Sequence, residues 1–305
     1  METAWPFARW LLATILASYI GVSGLRKKSL SKSGAIAGFA VGLVSLGISL
    51  RLGIILILFY KSSSMLTKVG ADKKAKISDD YMEGGQRGAG QVLACSLFAT
   101  ILAVVHRAHT GLGDSMIDLK AQPLGGALLC AYLGFYACCC GDTWSSELGV
   151  LSKKPPRLVT MPWREVPRGT NGGMSFVGTA AAALAGLFMG TAFFVLGWLF
   201  NVPPPDGSGS LTPTVHSRQV ALIPLGVLSG LIGSILDSLM GAVFQATYYD
   251  RERKLIVEHP MSEEMAKGRI ELISGHDLLS NESINILSAV LTSIVAGALA
   301  PLLMW

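Results

Sequence analysis

The chain has 305 residues, 51% of them hydrophobic and only 15% charged, with a formal net charge of +5. Soluble domains carry about 25% charged residues, so this composition excludes an ordinary soluble enzyme and predicts an all-α fold, a polytopic transmembrane helical bundle. The positive charge sits in short loops beside apolar runs, the positive-inside pattern of membrane proteins, and no nucleic-acid partner is expected.

The first apolar run, 5–24, is about 20 residues, long enough to cross a bilayer. Arg26, Lys27 and Lys28 follow it, so it reads as an uncleaved first helix with its C-terminal end in the cytoplasm. No Arg- and Ser-rich plastid leader stands out, and an endoplasmic reticulum or plasma membrane location is expected in preference to a plastid. The second run, 34–60, has two readings. One crossing would put the basic loops 25–32 and 61–87 on opposite sides. Two short helices turning near Leu50 and Arg51 would put loops 25–32, 61–87, 141–171 and 247–282 on one side, and those loops hold 20 of the 25 lysines and arginines. Charge bias favours the split, with the second helix continuing past Tyr60 through Ser62, Ser63 and Ser64. Further runs at 88–106, 122–140, 172–200, 219–246 and 283–305 bring the total to seven or eight membrane elements. The opposite loops, 107–120 and 201–218, are short and nearly neutral, and Pro203–Ser210 reads as a turn-rich linker. One integral membrane domain, 1–305, is expected, with loops 61–87, 141–171 and 247–282 cytoplasmic.

Cys95, Cys130, Cys138, Cys139 and Cys140 lie in or beside apolar runs without zinc-ligand spacing, and read as buried reduced thiols. His106, His109, His216, His259 and His276 show no metal spacing either. Other groups carry chemistry. GDTWSSELG, Gly141–Gly149, places Asp142 and Glu147 around Ser145 and Ser146. A helix starting at Gly141 would align Asp142, Ser145, Ser146 and Gly149 on one face, with Glu147 turned about 140° away. Acids at a membrane edge suit Mg²⁺, which takes one or two carboxylates plus substrate phosphates; the alternative makes Asp142 an N-cap and Glu147 a first-turn acid. Asp237 lies deep in the run 219–246, where an ionisable group is a functional-site candidate by default. Ser234, Asp237, Gly241 and Gln245 share a helical stripe, and Gly226, Gly230 and Gly233 suit close helix packing.

Between these acids lies a basic segment with Lys153, Lys154, Arg157, Arg164 and Arg168, followed by Thr170, Asn171, Gly172 and Gly173. Arginines next to a turn that opens a helix would make an anion site, although no P-loop is present. Loop 61–87 adds Ser63, Thr67, Lys68 and the EGGQR stretch with Gln86 and Arg87, a second phosphate clamp or a plain hinge. Near the end, Asn281 and Asn285 enter the last helix, as caps or as polar substrate contacts.

SSSMLTKVGADKK, EGGQR, CCCGDTWSSELGVLS, PRLVT, RGTNGG, GSILDSLMGAVFQ and SNESIN occur in one order over most of the chain. Together they resemble the transmembrane protein 19 family, particularly its plant growth-regulator branch. A wider branch includes the chloroplast phytyl-phosphate kinase, and the GD motif, basic proline segment and GG turn also look like CDP-diacylglycerol synthase and dolichol kinase membrane enzymes. The resemblance implies Asp142, Glu147 and Asp237 as metal or nucleotide ligands, with Arg157, Arg168, Thr170, Asn171 and Gly172 in the phosphate region. The chain departs from the family pattern at Cys140, where Asn is usual, at Met65, where Lys is usual, and at Ser280–Glu282, where Asp-Asn-Asn is usual.

Three function classes stand at this point. An enzyme would transfer a phosphoryl group from CTP or ATP, with Mg²⁺, to an isoprenoid monophosphate. Its catalytic candidates are Asp142, Asp237 and Arg168, and its binding candidates Ser63, Lys68, Gln86, Arg87, Arg157, Thr170, Asn171, Gly172, Gly173, Gln245, Asn281 and Asn285. A small-solute transporter would use Asp237 as coupling acid. A non-enzymatic membrane regulator of growth would use the same motifs structurally. Membrane lipid is a partner in each.

Overall fold

The computed structural model describes residues 4–79, 82–111, 113–201, 218–257, 260, 265 and 268–304. The linker Pro203–Ser210, His216 and His259 lie outside them. Ten α-helices carry the described chain: α1 (Ala4–Arg26), α2 (Lys32–Ile48), α3 (Leu50–Lys68), the short α4 (Ala71–Lys74), α5 (Ala89–Ala94), α6 (Leu97–Thr110), α7 (Pro123–Gly149), α8 (Phe176–Leu199), α9 (Leu222–Phe244) and α10 (Asn281–Met304). Six of them are long and apolar enough to cross a membrane, and the shorter α2 is apolar as well.

The run 34–60 is two helices, broken at Ser49, whose backbone is extended (φ −153°, ψ 127°). Ser49 caps α3: its Oγ accepts from Leu52 N–H at 3.1 Å, meeting one of the orphan donors of a helix start. Asp114 completes the turn. Its carboxylate accepts from Ser49 Oγ at 2.6 Å, from Arg51 N–H at 3.1 Å and from Arg9 Nη1 at 3.2 Å. The buried Arg51 guanidinium lies 3.7 Å from the Phe193 ring centroid and donates to the carbonyls of Phe193 and Ser115. The run 88–106 is also broken, at Cys95 and Ser96, into α5 and α6.

Helices α2, α3, α7, α8, α9 and α10, and α5 together with α6, each now return the chain to the opposite end. The loops around 27–31, 69–88, 150–175 and 245–280 gather at one end, linked by the Leu30–Arg87 and Ser78–Ile256 bridges and by Asn171 N–H donating to Thr247 Oγ1. The other end holds Asp114, Ser49 and the 115–117 segment, where Met116 N–H donates to Asn201 and Gln219 is paired with Ile117. The basic loops therefore share one end. Two of them contain small antiparallel sheets: β1 (Arg157–Leu158), β2 (Met161–Glu165) and β3 (Gly173–Met174) in order β2-β1-β3, and β4 (Thr247–Asp250), β5 (Leu255–Val257) and β6 (Ile270–Ser274) in order β5-β4-β6. Asp250 fixes the β4–β5 turn. Burial works against its charge, yet the Arg253 and Glu252 N–H groups and the Arg269 guanidinium hold its carboxyl below the usual carboxylate range.

Helix α7 is the axis of the bundle, buried at every residue from Leu129 to Cys140. Tyr132, Phe135 and Tyr136 stack among themselves and against Phe59, Phe98 and Phe193. Glycine lets α9 and α8 come against each other and against α7. A Cβ at Gly141 would lie 2.6 Å from Gly230 O, one at Gly233 2.4 Å from Cys138 Sγ, and one at Gly186 2.3 Å from Gly226 O. Membrane helices gain no hydrophobic driving force from one another and associate through such close backbone packing.

Gly230→Val should therefore force α9 off α8, whereas Gly90→Ala, at a glycine with nothing within 4 Å, should be neutral. Overpacking of this kind costs about 1–3 kcal/mol or more. Thermal unfolding in detergent should show a clear drop for the first variant and none for the second.

Candidate active site

The glycine contacts place the last two turns of α7 beside the middle of α9. Asp142 is inside α7, which ends at Gly149, and does not open a helix as the sequence suggested. That rules out its reading as an N-cap. Asp142 and Asp237 face each other within hydrogen-bonding reach, and Ser288 Oγ of α10 donates to Asp237 Oδ2 at 3.0 Å. Among the described residues, no lysine or arginine forms an ion pair with either acid. Two carboxyl groups in contact cannot both stay charged without a shared proton or a cation between them.

Both acids open onto a cavity of about 410 Å³. Its polar end is lined by Asp142, Ser145, Ser146, Glu147, Arg87, Arg168, Thr170, Asn171, Gly172, Gly173, Asp237, Gln245, Asn281, Asn285 and Ser288. Its other end is apolar, between α1, α2 and α3. Gly172 has φ +76°, and a Cβ there would meet Ala242 Cβ at 2.3 Å and Ser238 O at 2.7 Å. The Asn171–Gly172 turn is thus seated on α9, one residue from Asp237. Asn281, Asn285 and Ser288 follow i, i+4, i+7 spacing on α10, and Gln245 Nε2 reaches Asn281 Oδ1 at 3.5 Å.

Several expectations change. The Thr170–Gly173 turn does not open the next helix: α8 starts at Phe176, capped by Ser175 Oγ, which accepts from Gly178 N–H. The N–H groups of Thr170, Asn171 and Gly173 are already bonded to Pro167 O, Thr247 Oγ1 and Thr170 O. The turn offers side chains to the cavity and not a row of backbone donors. Glu147 is turned from Asp142, as its helical angle predicts, and joins no three-carboxylate set. It accepts from Thr67 Oγ1 at 2.6 Å and pairs with the buried Lys74, which also donates to the carbonyls of Leu66 and Thr67. Arg87 donates to Ser64 Oγ at 2.9 Å and Thr67 Oγ1 at 3.3 Å. Four binding candidates do not line the cavity. Ser63 is buried in α3, Lys68 donates to Lys27 O, Gln86 is exposed, and Arg157 pairs with Glu165 at the exposed β1–β2 edge. Sequence reasoning missed Ser288 and Gln91. The first was visible as the third member of the Asn281–Asn285 stripe, the second as a lone amide inside an apolar run.

Among the described residues, no three His, Cys, Asp or Glu side chains converge as a metal cage. The fit to Mg²⁺ is of another kind: two facing carboxylates without a cation, on a cavity with room for ligand oxygens. Mg²⁺ is held by one or two carboxylates together with substrate phosphates in many nucleotide sites. The departures at Cys140 and Met65 fall off the cavity. Cys140 Sγ points to Ser62 Oγ at 3.9 Å, and Met65 is exposed on α3.

A family described as "Integral membrane protein DUF92" matches residues 15–293. The chain belongs to this family. Among relatives of this integral membrane family, it is 40% identical to "Protein PGR" of Arabidopsis thaliana, over 97% of this chain and 98% of that protein. It is 26% identical to "Protein VTE6, chloroplastic" of the same plant, over 97% of this chain and 73% of that protein. An uncharacterized membrane protein of Methanocaldococcus jannaschii is 24% identical, over 80% of this chain and 87% of its own length. No solved structure matches the chain. It is a multi-pass integral membrane protein of the DUF92 family.

The Lys74–Glu147 pair gives a direct test of Glu147. Removing one partner of a buried pair leaves an uncompensated charge and costs about 3 kcal/mol. Lys74→Met should lower the unfolding temperature, and Lys74→Met combined with Glu147→Leu should recover most of the loss, as read by thermal melting of the purified protein.

Proposed function

We propose that this chain is a membrane kinase of isoprenoid monophosphates, transferring a phosphoryl group from a nucleoside triphosphate such as CTP or ATP. One observation carries the reading: a single cavity joins a facing acid pair, with arginines at its rim, to an apolar arm among the membrane helices. A substrate with an anionic head and a hydrocarbon tail matches that division. The sequence resemblance to a branch that includes phytyl-phosphate kinase points the same way.

Asp142 and Asp237 are the residues that would hold Mg²⁺, and the bound ion would supply positive charge to offset the negative charge of the phosphates. The chain's own groups have the remaining roles. Ser288 fixes the Asp237 carboxylate through its 3.0 Å hydrogen bond. Arg168 lies at the cavity mouth with Nη2 on Lys153 O at 3.1 Å, leaving its other donors for a phosphate. Arg87 is held from below by Ser64 and Thr67. Asn171, Gln245, Asn281 and Asn285 supply neutral donors and acceptors around the head group. The attacking atom is an oxygen of the substrate monophosphate, already anionic, so the site requires no general base. That suits a cavity whose lining contains no histidine among the described residues. Catalysis of this type is mostly positioning and charge stabilisation.

Purified protein with Mg²⁺, labelled CTP or ATP and a panel of isoprenoid monophosphates should yield the diphosphate. Asp142→Asn and Asp237→Asn should each lower turnover by about 100-fold or more while the melting temperature holds. A folded wild-type protein that converts no member of the panel overturns the kinase reading and leaves the non-enzymatic membrane regulator in its place.

A further inference from the structure

Two groups of helical glycines in this chain differ physically, and the second group marks the tail site. At Gly141, Gly186, Gly226 and Gly230 an added Cβ would come within 2.3–2.7 Å of another helix's backbone; these glycines exist so that backbones can touch. Gly21, Gly38 and Gly42 are different. An added Cβ meets nothing closer than 3.5 Å at Gly21, 4.0 Å at Gly38 and 3.6 Å at Gly42. No backbone contact requires glycine there, and all three have ordinary helical backbones with no positive φ. What they share is the cavity: all three line it, where α1 and α2 face Leu56 and Tyr60 of α3. Their missing side chains are the cavity's space.

The arm has a floor. Leu46 lines the cavity and is buried, and its side chain lies against Gly53 of α3, where a Cβ would be 2.4 Å from Leu46 Cδ2. From Gly38 to Leu46 is two turns of α2, a depth of about 12 Å at 1.5 Å per residue. This is less than half of the roughly 30 Å hydrocarbon thickness. The acid pair is at the opposite, polar end of the same cavity, toward the basic loops.

We infer that Gly38 and Gly42 are the chain-length determinants of this protein, with Gly38 beside the head-proximal part of an isoprenoid tail, Gly42 one turn deeper, and Leu46 as the stop. The inference rests on the reading of the cavity as an isoprenoid monophosphate site, but it concerns binding and does not require turnover. A side chain placed at Gly42 shortens the arm from its far end; one placed at Gly38 blocks it near the entrance. The two substitutions therefore predict different patterns and not a common loss.

The test is equilibrium binding to the full-length protein in detergent, without nucleotide, of geranyl, farnesyl and geranylgeranyl monophosphate, with inorganic phosphate as the tail-free probe. Gly42→Leu should weaken the two longer ligands by at least about tenfold while geranyl monophosphate changes little, since each excluded CH₂ forfeits about 0.8 kcal/mol of burial. Gly38→Leu should weaken all three, and inorganic phosphate should bind both variants as it binds wild type. Gly42→Ala, with its 3.6 Å clearance, should melt with wild type and show the same selectivity in smaller degree, which keeps the idea testable if a leucine disturbs the fold. Wild-type-like binding of all three lengths by folded Gly38→Leu and Gly42→Leu would overturn the assignment. Binding that follows the predicted pattern in a protein without kinase turnover would uphold the arm and refute only the reaction.

Discussion

The structure depends on three helices whose backbones touch. Gly141 against Gly230, Gly233 against Cys138, and Gly186 against Gly226 bring α7, α8 and α9 closer than any side chain would allow. In a bilayer this contact replaces the hydrophobic effect as the source of helix association. It also sets the chemistry. Gly141 immediately precedes Asp142, and Gly233 lies one turn before Asp237, so the contact that packs the helices also puts the two acids face to face. A single Cβ at Gly141, 2.6 Å from Gly230 O, is enough to part α7 from α9, the helices that carry them.

The second layer stabilises the end of the bundle where the cavity opens. Glu147, Thr67, Lys74 and Arg87 form a continuous chain of hydrogen bonds between α7, α3 and the start of the α5 segment. Gly34 lets the Arg87 carbonyl approach α2, where a Cβ would sit 2.0 Å from it. Arg87 is thus held by both its backbone and its guanidinium. A charge chain of this kind gives little net stability against an apolar substitute, but it fixes a geometry. Its value here is the placement of Arg87 at the cavity wall. Glu147 has a clear physical task as the anchor of Lys74, which explains why it stands five residues from Asp142 and yet belongs to a different cluster.

Much of this could be read from residues alone, for identifiable reasons. The split of 34–60 followed from charge: only two helices put the four basic loops at one end, and Ser49 makes the break where Leu50 and Arg51 were expected to turn. The cost of an acid in an apolar run marked Asp142 and Asp237 one at a time, and only the family resemblance assigned both to one ligand set. The glycine packing of α9 was visible as Gly226, Gly230 and Gly233. What was hidden depended on registration across the fold. GDTWSSELG reads equally well as the start or the end of a helix, because Gly141 permits either, and only the buried α7 core upstream decides for the end. The amide groups of RGTNGG looked available because the sequence cannot show that Thr247, 76 positions away, takes one of them. Lys68 and Arg157 were read by proximity in sequence to phosphate-like motifs, while the fold turns both outward.

Glycine itself carries two opposite meanings in this protein, and hydropathy cannot separate them. A glycine that faces another backbone encodes contact, and one that faces empty space encodes room. The first kind clusters on α7, α8 and α9 and makes the acid pair. Gly21, Gly38 and Gly42, on α1 and α2, are of the second kind and line the cavity beside it. Residues of the first kind have no freedom to change, because the obstacle is a neighbouring main chain. Residues of the second kind can accept a methyl group without disturbing any helix, and each such change would alter the shape of what fits. The framework glycines are fixed by the main chains they touch, whereas a substitution at Gly21, Gly38 or Gly42 changes the cavity and leaves the helix contacts in place.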